Sequence, residues 1–389
     1  MDLRTGQFIE SMKVISIQPG SLYQNGGAAR VLRRLYLGRE EQIHAVGIVE
    51  SATPAPKGMI RETLVPTAIQ QRKWLRWYLR NFMVFLRDSV LKSFTKRKIR
   101  KILHAESYDV VHLVSHGPFN PILKDTSFGA TQQLWVSFHD HFSTAGSSKA
   151  DTNLLWNKAH RRLVISDELG KHYQSLFGAK PFELITDGLF ENEISPSHSM
   201  TKANNSLIVY FAGLLHIDYY PLFQALADAL DLLVLQKKHI KLILRGTQPL
   251  GFLSERSFEV EYRKDFVSDQ EIKTEMDAAS ILYLPIKFTE PNFYLYSLST
   301  KMIGYLGASG TILYHGPGNS AAAKLLNASS AGICCDSLDP ADVLRSLEEI
   351  FAAGSKVSEQ AKHLAKTRFD FPAIQDTFWQ GKTVEAVAG

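Results

Sequence analysis

"SILYLPIKFTEPNFYLYSLSTKMIGYLGASGTILYHGPG", Ser280 to Gly318, holds one complete strand–loop–helix–strand unit. "SILYLP" is a short apolar run, the pattern of a strand buried on both faces. "IKFTEPNFYLY" reads as a loop at the carboxyl end of that strand. "SLSTK" starts a helix that continues through "MIGYLGAS", Gly310 supplies a position just past its end, and "TILYHG" is the next strand. Ligands of open α/β sheets bind at the carboxyl ends of strands. A helix N-terminus in that place offers unpaired N–H groups and a partial positive charge, which suit a phosphate. Ser299 and Thr300 can cap the helix or donate to an anion, and Lys301 adds a full charge. The same residues also fit a plain Ser/Thr cap followed by a solvated lysine, so the surrounding chain has to decide.

Outward from this unit the pattern repeats. "KVISI", "HAVGIV", "DVVHLV", "LWVSF", "RLVIS" and "FELIT" are short runs rich in Val, Ile and Leu, separated by helical or loop segments. A polar stretch, "ENEISPSHSMTKANN", then breaks the alternation as a linker. It restarts with "LIVYFAG", "IKLILRG", "EVEYR", "SILYLP", "TILYHG" and "GICC", and a helical tail follows. Continuous apolar strands alternating with helices predict an α/β chain of two doubly wound, Rossmann-like domains facing a cleft. The expected boundaries are residues 1–190, a linker at 191–205 and residues 206–389.

The bulk properties agree with this. A chain of 389 residues is long for one core. The two cysteines, Cys334 and Cys335, are adjacent, which offers neither a disulfide framework nor a zinc site and predicts a reducing, intracellular setting. The first twenty residues lack an apolar core of signal-peptide length, and no apolar run is long enough to span a bilayer.

Several strand ends carry candidate chemistry. "FHDHFS" follows "LWVSF", so His139, Asp140 and His141 are expected beside the ligand. A carboxylate or imidazole there could act as a general base, or Asp140 could simply cap the next turn. "NGGAAR" brings Gly26 and Gly27 to the start of the first helix, where a bare backbone can approach a ligand or merely turn tightly. The missing third glycine excludes a dinucleotide fingerprint. In the second half, Gly213 of "YFAGLLH" and Arg245 of "LRG" end strands, so they too are expected beside the ligand.

The strand, the loop with Glu290 and Tyr294, and the Ser-Thr-Lys helix start together resemble the donor site of GT-B glycosyltransferases. In many of these a segment of the type S-x-x-K-x-x-E-Y-x-A-x-G-x-P-V binds the diphosphate of a nucleotide sugar. Here it reads "SLSTKMIGYLGASGTIL", with Gly304 in place of the glutamate and Thr311 in place of the proline. The Glu-x7-Glu pattern of retaining family 4 enzymes is absent, since Tyr296 and Gly304 occupy those places. "YLYSLSTKMIGY" and "SFHDHFSTAG" are more similar to the inverting GT-B glucuronosyltransferases of xanthan assembly, whose Asp-x-x-Ser-Thr segment supplies the catalytic base.

The resemblance implies GT-B architecture, with an acceptor-binding N-terminal and a donor-binding C-terminal domain. It makes Asp140 the base, with His139 as second candidate. It places Gly213, Arg245, Glu290, Tyr294, Ser299, Thr300 and Lys301 at the donor, and Gly26, Gly27 and His141 at the acceptor. The implied reaction is an inverting transfer from a nucleotide sugar, UDP-linked above all, to a lipid-linked saccharide in bacterial surface polysaccharide synthesis. No metal and no cofactor are expected: no two aspartates lie two positions apart, so the Asp-x-Asp metal motif of GT-A enzymes is missing. A retaining GT-B transferase, a sugar-nucleotide epimerase and a catalytically inactive subunit remain alternatives.

The charge is local. Between Arg72 and Lys101 stand eleven Lys/Arg and one acid, a net +10, so the other residues sum to −5 within the formal +5 of the whole chain. Interleaved aromatics in this insertion, about residues 69–103, fit an anionic membrane surface, with Arg72, Lys73, Trp74, Arg76, Trp77, Arg80 and Phe85 in contact. A core helix with a solvated face is the plainer alternative. Nucleic acid is not expected, because no recognition module accompanies the charge. The predicted location is therefore the cytoplasm, peripheral at the inner face of the cell membrane.

Overall fold

A computed structural model describes residues 12–24, 26–49, 58–67, 79, 82, 83, 85, 86, 91–117, 132–198, 206–265 and 267–380. The chain divides into two units, Met1–Thr186 with Gln375–Gly389, and Asp187–Ile374.

The first unit is built on a seven-stranded parallel sheet. Its strands are β1 (Val14–Pro19), β2 (Ile43–Val49), β3 (Arg61–Pro66), β4 (Val110–Val114), β5 (Gln133–Phe138), β6 (Arg161–Val164) and β7 (Glu183–Leu184). They lie in the order β3-β2-β1-β4-β5-β6-β7. Helices α1 (Gly27–Leu35), α2 (Lys92–Leu103), α3 (Lys149–Lys158) and α4 (Asp167–Phe177) connect them. The chain reverses direction across the sheet between β1 and β4, the place where doubly wound sheets open a crevice.

The second unit repeats the plan with six parallel strands: β8 (Ser206–Ala212), β9 (His239–Arg245), β10 (Glu259–Arg263), β11 (Ile281–Pro285), β12 (Thr311–His315) and β13 (Ile333–Cys335). Their order, β10-β9-β8-β11-β12-β13, puts the switch between β8 and β11. Its helices are α5 (Tyr220–Leu235), α6 (Asp269–Ala278), the single turn α7 (Pro291–Tyr294), α8 (Thr300–Gly307), α9 (Ala321–Ala328) and α10 (Pro340–Arg368). The central strands β11 and β12 are buried at every residue, which is why they read as unbroken apolar runs. Helix α5 turns Phe223, Leu226, Leu230 and Leu233 into the same core as Leu242, Leu244 and Tyr283.

Every strand anticipated from the sequence is present, and one was missed. β3, "RETLVP", is an edge strand buried fully only at Val65, so its polar positions hide it. The basic segment therefore follows β3 rather than β2. Two other expectations are corrected. Gly310 does not close α8 through a positive φ: the helix ends at Gly307 with Ala308 as its cap, and Gly310 lets the backbone pass the Ala279 carbonyl, where a Cβ would come to 2.5 Å. Residues 191–198 do not span open linker either. Ser195 N donates to Gly307 O at 2.8 Å and His198 N to Ser309 O at 2.9 Å, laying this stretch on the second unit.

The last described helix, α11 (Phe371–Gln380), was expected to belong wholly to the second domain. From Gln375 onward it groups with the first unit. Trp379 donates to Leu35 O at 2.9 Å, and Phe378 packs edge-on to Trp135 with centroids 5.4 Å apart. Arg161 closes the helix by donating to Phe378 O at 2.6 Å and Thr377 O at 2.9 Å.

A polar chain crosses the first sheet below its carboxyl edge. The Tyr36 hydroxyl meets Ser16 Oγ at 2.8 Å and His112 Nδ1 at 2.6 Å, and His112 Nε2 meets Ser137 Oγ at 2.7 Å. Burial pushes the His112 imidazole down to about 3, so it stays neutral and ties β1, β4 and β5 together.

Candidate functional site

In the second unit the switch point gathers the loops that follow β8, β9 and β11. Gly213 ends β8 with φ +144, a backbone state that favours glycine. Its N–H donates to Arg245 O at 2.9 Å, and its carbonyl accepts from Thr247 Oγ1 at 2.9 Å. Against its bare Cα lies the ammonium of Lys301, 2.8 Å from where a Cβ would be. Lys301 is partly buried and stands 3.9 Å from the Phe211 ring centroid. Its Nζ makes no hydrogen bond or ion pair among the described residues. Desolvation lowers its pKa to about 7, since a charge out of water without a counter-ion is costly.

The start of α8 adds to this cation. Ser299 caps it, its Oγ accepting from Lys301 N at 3.2 Å. The hydroxyl of Thr300 has no hydrogen-bond partner among the described residues. Three features thus converge at the end of β8: a glycine backbone, a helix N-terminus and an uncompensated ammonium. Beside them a cavity of about 370 Å³ is lined by Gly246, Thr247, Gln248, Pro249 and Lys264. Thr247 lines the cavity and also holds the Gly213 carbonyl.

The other donor-side candidates are placed differently. Arg245 is held by Glu275, which accepts from its Nε at 3.0 Å, and Arg245 Nη1 donates to Asp265 O at 2.8 Å. Glu275 also takes the Tyr210 hydroxyl at 2.8 Å and Arg263 at 2.9 Å. The guanidinium is therefore committed to a network within the unit. Glu290 pairs with Lys287 at 2.7 Å, and Lys287 reaches Asp218 at 3.5 Å, so the loops after β8 and β11 are joined by charge. Tyr294 ends α7, half-buried near Tyr314. Sequence reasoning missed Lys287, Thr247 and Lys264. The first has a signal, since it directly follows "LYLPI"; the other two become related only when β9 and β10 pair.

In the first unit, Gly26 and Gly27 open α1 as expected; Gly26 is exposed, and nothing lies within 4 Å of the Cβ it lacks. His139 and Asp140 follow β5 and are partly buried. Burial first, and His116 second, push His139 down to about 4, so its imidazole is neutral near pH 7. The Asp140 carbonyl accepts from the Tyr173 hydroxyl at 3.3 Å. His141 is buried, its Nδ1 meets Ser143 Oγ at 2.7 Å, and its ring packs against Phe142 and His172 with centroids 4.1 and 5.2 Å away. Among the described residues no group of three or more His, Cys, Asp or Glu is arranged to hold a metal.

Of the membrane candidates, Arg72, Lys73, Trp74, Arg76, Trp77 and Arg80 lie outside the described residues. Phe85 is described and 60% exposed, with Phe82 and Phe94 similarly open. Helix α2 turns Thr95, Ile99 and Leu103 inward and leaves Phe94, Arg97, Lys98 and Lys101 exposed. No helix among the described residues is long and apolar enough to cross a membrane.

No protein-family model matches the chain, and no curated protein matches it in sequence. Solved structures do. Anabaena HepE in complex with UDP and glucose superposes with a TM-score of 0.65 at 15% identity, over 95% of this chain and 99% of that one. Sucrose-phosphate synthase of Thermosynechococcus elongatus gives 0.65 at 10% identity, over 95% and 98%. The E. coli trehalose-6-phosphate protein bound with UDP-2-fluoro glucose gives 0.65 at 10% identity, over 95% and 99%. At these identities the likeness is one of fold: the chain has the GT-B architecture of two Rossmann-like α/β domains.

Proposed function

We propose that the protein is a glycosyltransferase that moves a sugar from a nucleotide-sugar donor to a saccharide acceptor. The observation that carries this is the Lys301 ammonium, set without a counter-ion at a capped helix start and against Gly213. A partly buried cation held without a counter-ion is a standing cost, and a diphosphate placed there removes it. The nucleoside would occupy the neighbouring cavity lined by Thr247, Gln248 and Lys264. UDP is the favoured nucleotide, because structures of this fold named above were solved with UDP or a UDP-sugar.

Asp140 takes the proton from the acceptor hydroxyl as its oxygen attacks the anomeric carbon. The bond from that carbon to the diphosphate oxygen breaks, and the electron pair leaves with the diphosphate. Lys301 and the N–H groups at the start of α8 neutralise the growing charge, fixed in place before reaction. The likeness of "YLYSLSTKMIGY" and "SFHDHFSTAG" to segments of the xanthan-assembly glucuronosyltransferase GumK supports inversion of configuration. The absence of Asp-x-Asp supports metal independence. The basic aromatic segment supports a lipid-linked acceptor at the inner face of the cell membrane, in surface polysaccharide assembly.

The test begins with thermal-shift measurements using UDP-, GDP-, ADP- and CMP-linked sugars, since a ligand that binds the folded state raises its melting temperature. Stabilisation by UDP-sugars and loss of that effect in Lys301→Ala is the expected result. Asp140→Asn should retain donor binding and lose about 10²-fold or more in turnover. No shift with any nucleotide sugar overturns the proposal, and NMR of the product's anomeric proton decides inversion.

A further inference from the structure

Gln18 is the next-to-last residue of β1, at the carboxyl edge of the first sheet beside the switch to β4, and only 2% of it is exposed. Its carboxamide ends the polar chain that crosses this sheet: the Ser16 hydroxyl donates to Gln18 Oε1 at 3.1 Å. Its Nε2 is buried and has no hydrogen-bond partner among the described residues. Two N–H donors withdrawn from water and left unanswered are unfavourable, so the group calls for an acceptor atom.

The chain dictates which end of the carboxamide is left over. The single hydroxyl proton of Tyr36 goes to Ser16 Oγ, so the Tyr36 oxygen accepts from His112 Nδ1. Burial keeps His112 neutral with one N–H, so its Nε2 is bare and accepts from Ser137 Oγ. Every proton from Ser137 onward points towards Gln18, whose oxygen receives the last one. Flipping the amide would set an N–H against the Ser16 proton. All the groups in the chain are neutral, which suits a neutral oxygen, such as a sugar hydroxyl, better than a phosphate. The loop after β1 is fixed around this edge. Ser21 Oγ donates to Glu62 Oε2 at 2.7 Å, Leu22 N to Glu62 Oε1 at 2.6 Å, and Ile60 N to the Tyr23 hydroxyl at 2.8 Å. Gln24 is exposed, and its carboxamide lies in the space that a Cβ on Gly20, the residue after β1, would fill.

We propose that Gln18 is a specificity-determining residue of the acceptor site: its Nε2 donates to a hydroxyl oxygen of the acceptor saccharide, which enters as the Gln24 side chain swings off Gly20. This rests on the transferase reading above. His139 and Asp140 follow β5 on the same carboxyl edge, so an acceptor gripped by Gln18 lies at the edge that carries the proposed base. A sugar that lacks or inverts the matching hydroxyl would leave the fixed donor unpaired and is rejected for that reason.

NMR of the full chain reads Gln18 directly. Its side-chain NH₂ signal, assigned through bonds from its own backbone, is followed as methyl glycosides of glucose, galactose, mannose and N-acetylglucosamine are added. At least one should shift it, and UDP alone should not. Of that glycoside's monodeoxy analogues, one should bind the wild type about 10-fold more weakly than the parent. Gln18→Met keeps the length and removes the donor. It should bind the parent about 10-fold more weakly, no longer tell it from that analogue, and melt at the same temperature or higher. Gln24→Ala should bind the glycoside at least as tightly as the wild type, and weaker binding overturns the entry route. An NH₂ signal that no glycoside moves, in contact with buried water alone, overturns the proposal even if Gln18→Met fails to fold. So does a Gln18→Met that still separates parent from analogue. A wild type that no nucleotide sugar stabilises overturns the transferase reading without touching the Gln18 shift, whereas a stabilised wild type with an unmoved Gln18 signal overturns only the role of Gln18.

Discussion

Lys301 is where sequence, burial and chemistry meet most directly. Its folded pKa near 7 lies well below the value of about 10.4 in an unfolded chain. Between these values the unfolded state binds one more proton than the folded state, so stability rises with pH. Below pH 7 both states are protonated and the whole penalty is present. Lys301→Met should therefore raise the melting temperature of ligand-free protein at pH 6, with the advantage fading towards pH 10. The same variant should weaken UDP binding by about 1.5–3 kcal/mol, the range for hydrogen bonds to a charged group. Calorimetry of UDP binding at pH 8 in buffers of different ionisation heat should show proton uptake by the wild type and none by Lys301→Met. A variant that binds UDP normally places the phosphate site elsewhere. Gly213→Ala tests the other side of the same contact. A side chain at φ +144 is strained by about 1–2 kcal/mol, and its Cβ would force the ammonium from its place. Thermal melting should report the first effect and a fall in UDP affinity the second. Lys301 and Gly213 can be singled out in the sequence because the strand ends mark them without any knowledge of partners. The link from Arg245 to Glu275 cannot, because Glu275 comes thirty residues later on another element.

At the scale of elements, twelve of the thirteen strands could be read from apolar runs, and the exception, β3, shows the limit of that signal. An edge strand shares only one side with its sheet, so its polar residues need not be excluded from water. Helix α11 shows a second limit. "FPAIQDTFWQGK" is plainly apolar on one side, yet nothing local says which sheet it covers. The choice is made by Arg161, with 11% of its side chain exposed, which caps the helix, pairs Glu183 at 2.6 Å and lies over the Trp135 ring at 4.4 Å. Arg161→Met should cost about 3–5 kcal/mol, because Glu183 would be left as an uncompensated buried charge and two terminal helix carbonyls would lose their donor. Urea denaturation reads this directly. Glu183→Gln in the Arg161→Met background should recover part of the loss, and a cost under about 1 kcal/mol would mean that the pair is solvated.

For the whole molecule, the unequal distribution of charge matters more than the total. The segment from Arg72 to Lys101 carries +10 against −5 for everything else, a local charge that attracts an anionic partner. Where that segment is described it also exposes aromatic rings, Phe82, Phe85 and Phe94, and α2 exposes Arg97, Lys98 and Lys101. Exposed rings next to Lys and Arg suit the headgroup boundary of a bilayer, where the rings enter and the charges meet anionic lipid. Each basic residue near such a surface contributes about 1 kcal/mol, and the attraction fades within a Debye length of about 8 Å at physiological salt. Sedimentation with vesicles should accordingly require anionic lipid and fall steeply as salt is added. Changing Arg72, Lys73, Arg76 and Arg80 together to Ser should abolish it while leaving UDP binding intact, since Lys301 and Gly213 belong to the other unit. Phe85→Ser with Phe94→Ser should instead remove the part of the affinity that survives high salt. Equal binding of the wild type to neutral and anionic vesicles, or normal sedimentation of the fourfold variant, would make the segment a core helix with a solvated face and leave the lipid-linked acceptor without physical support.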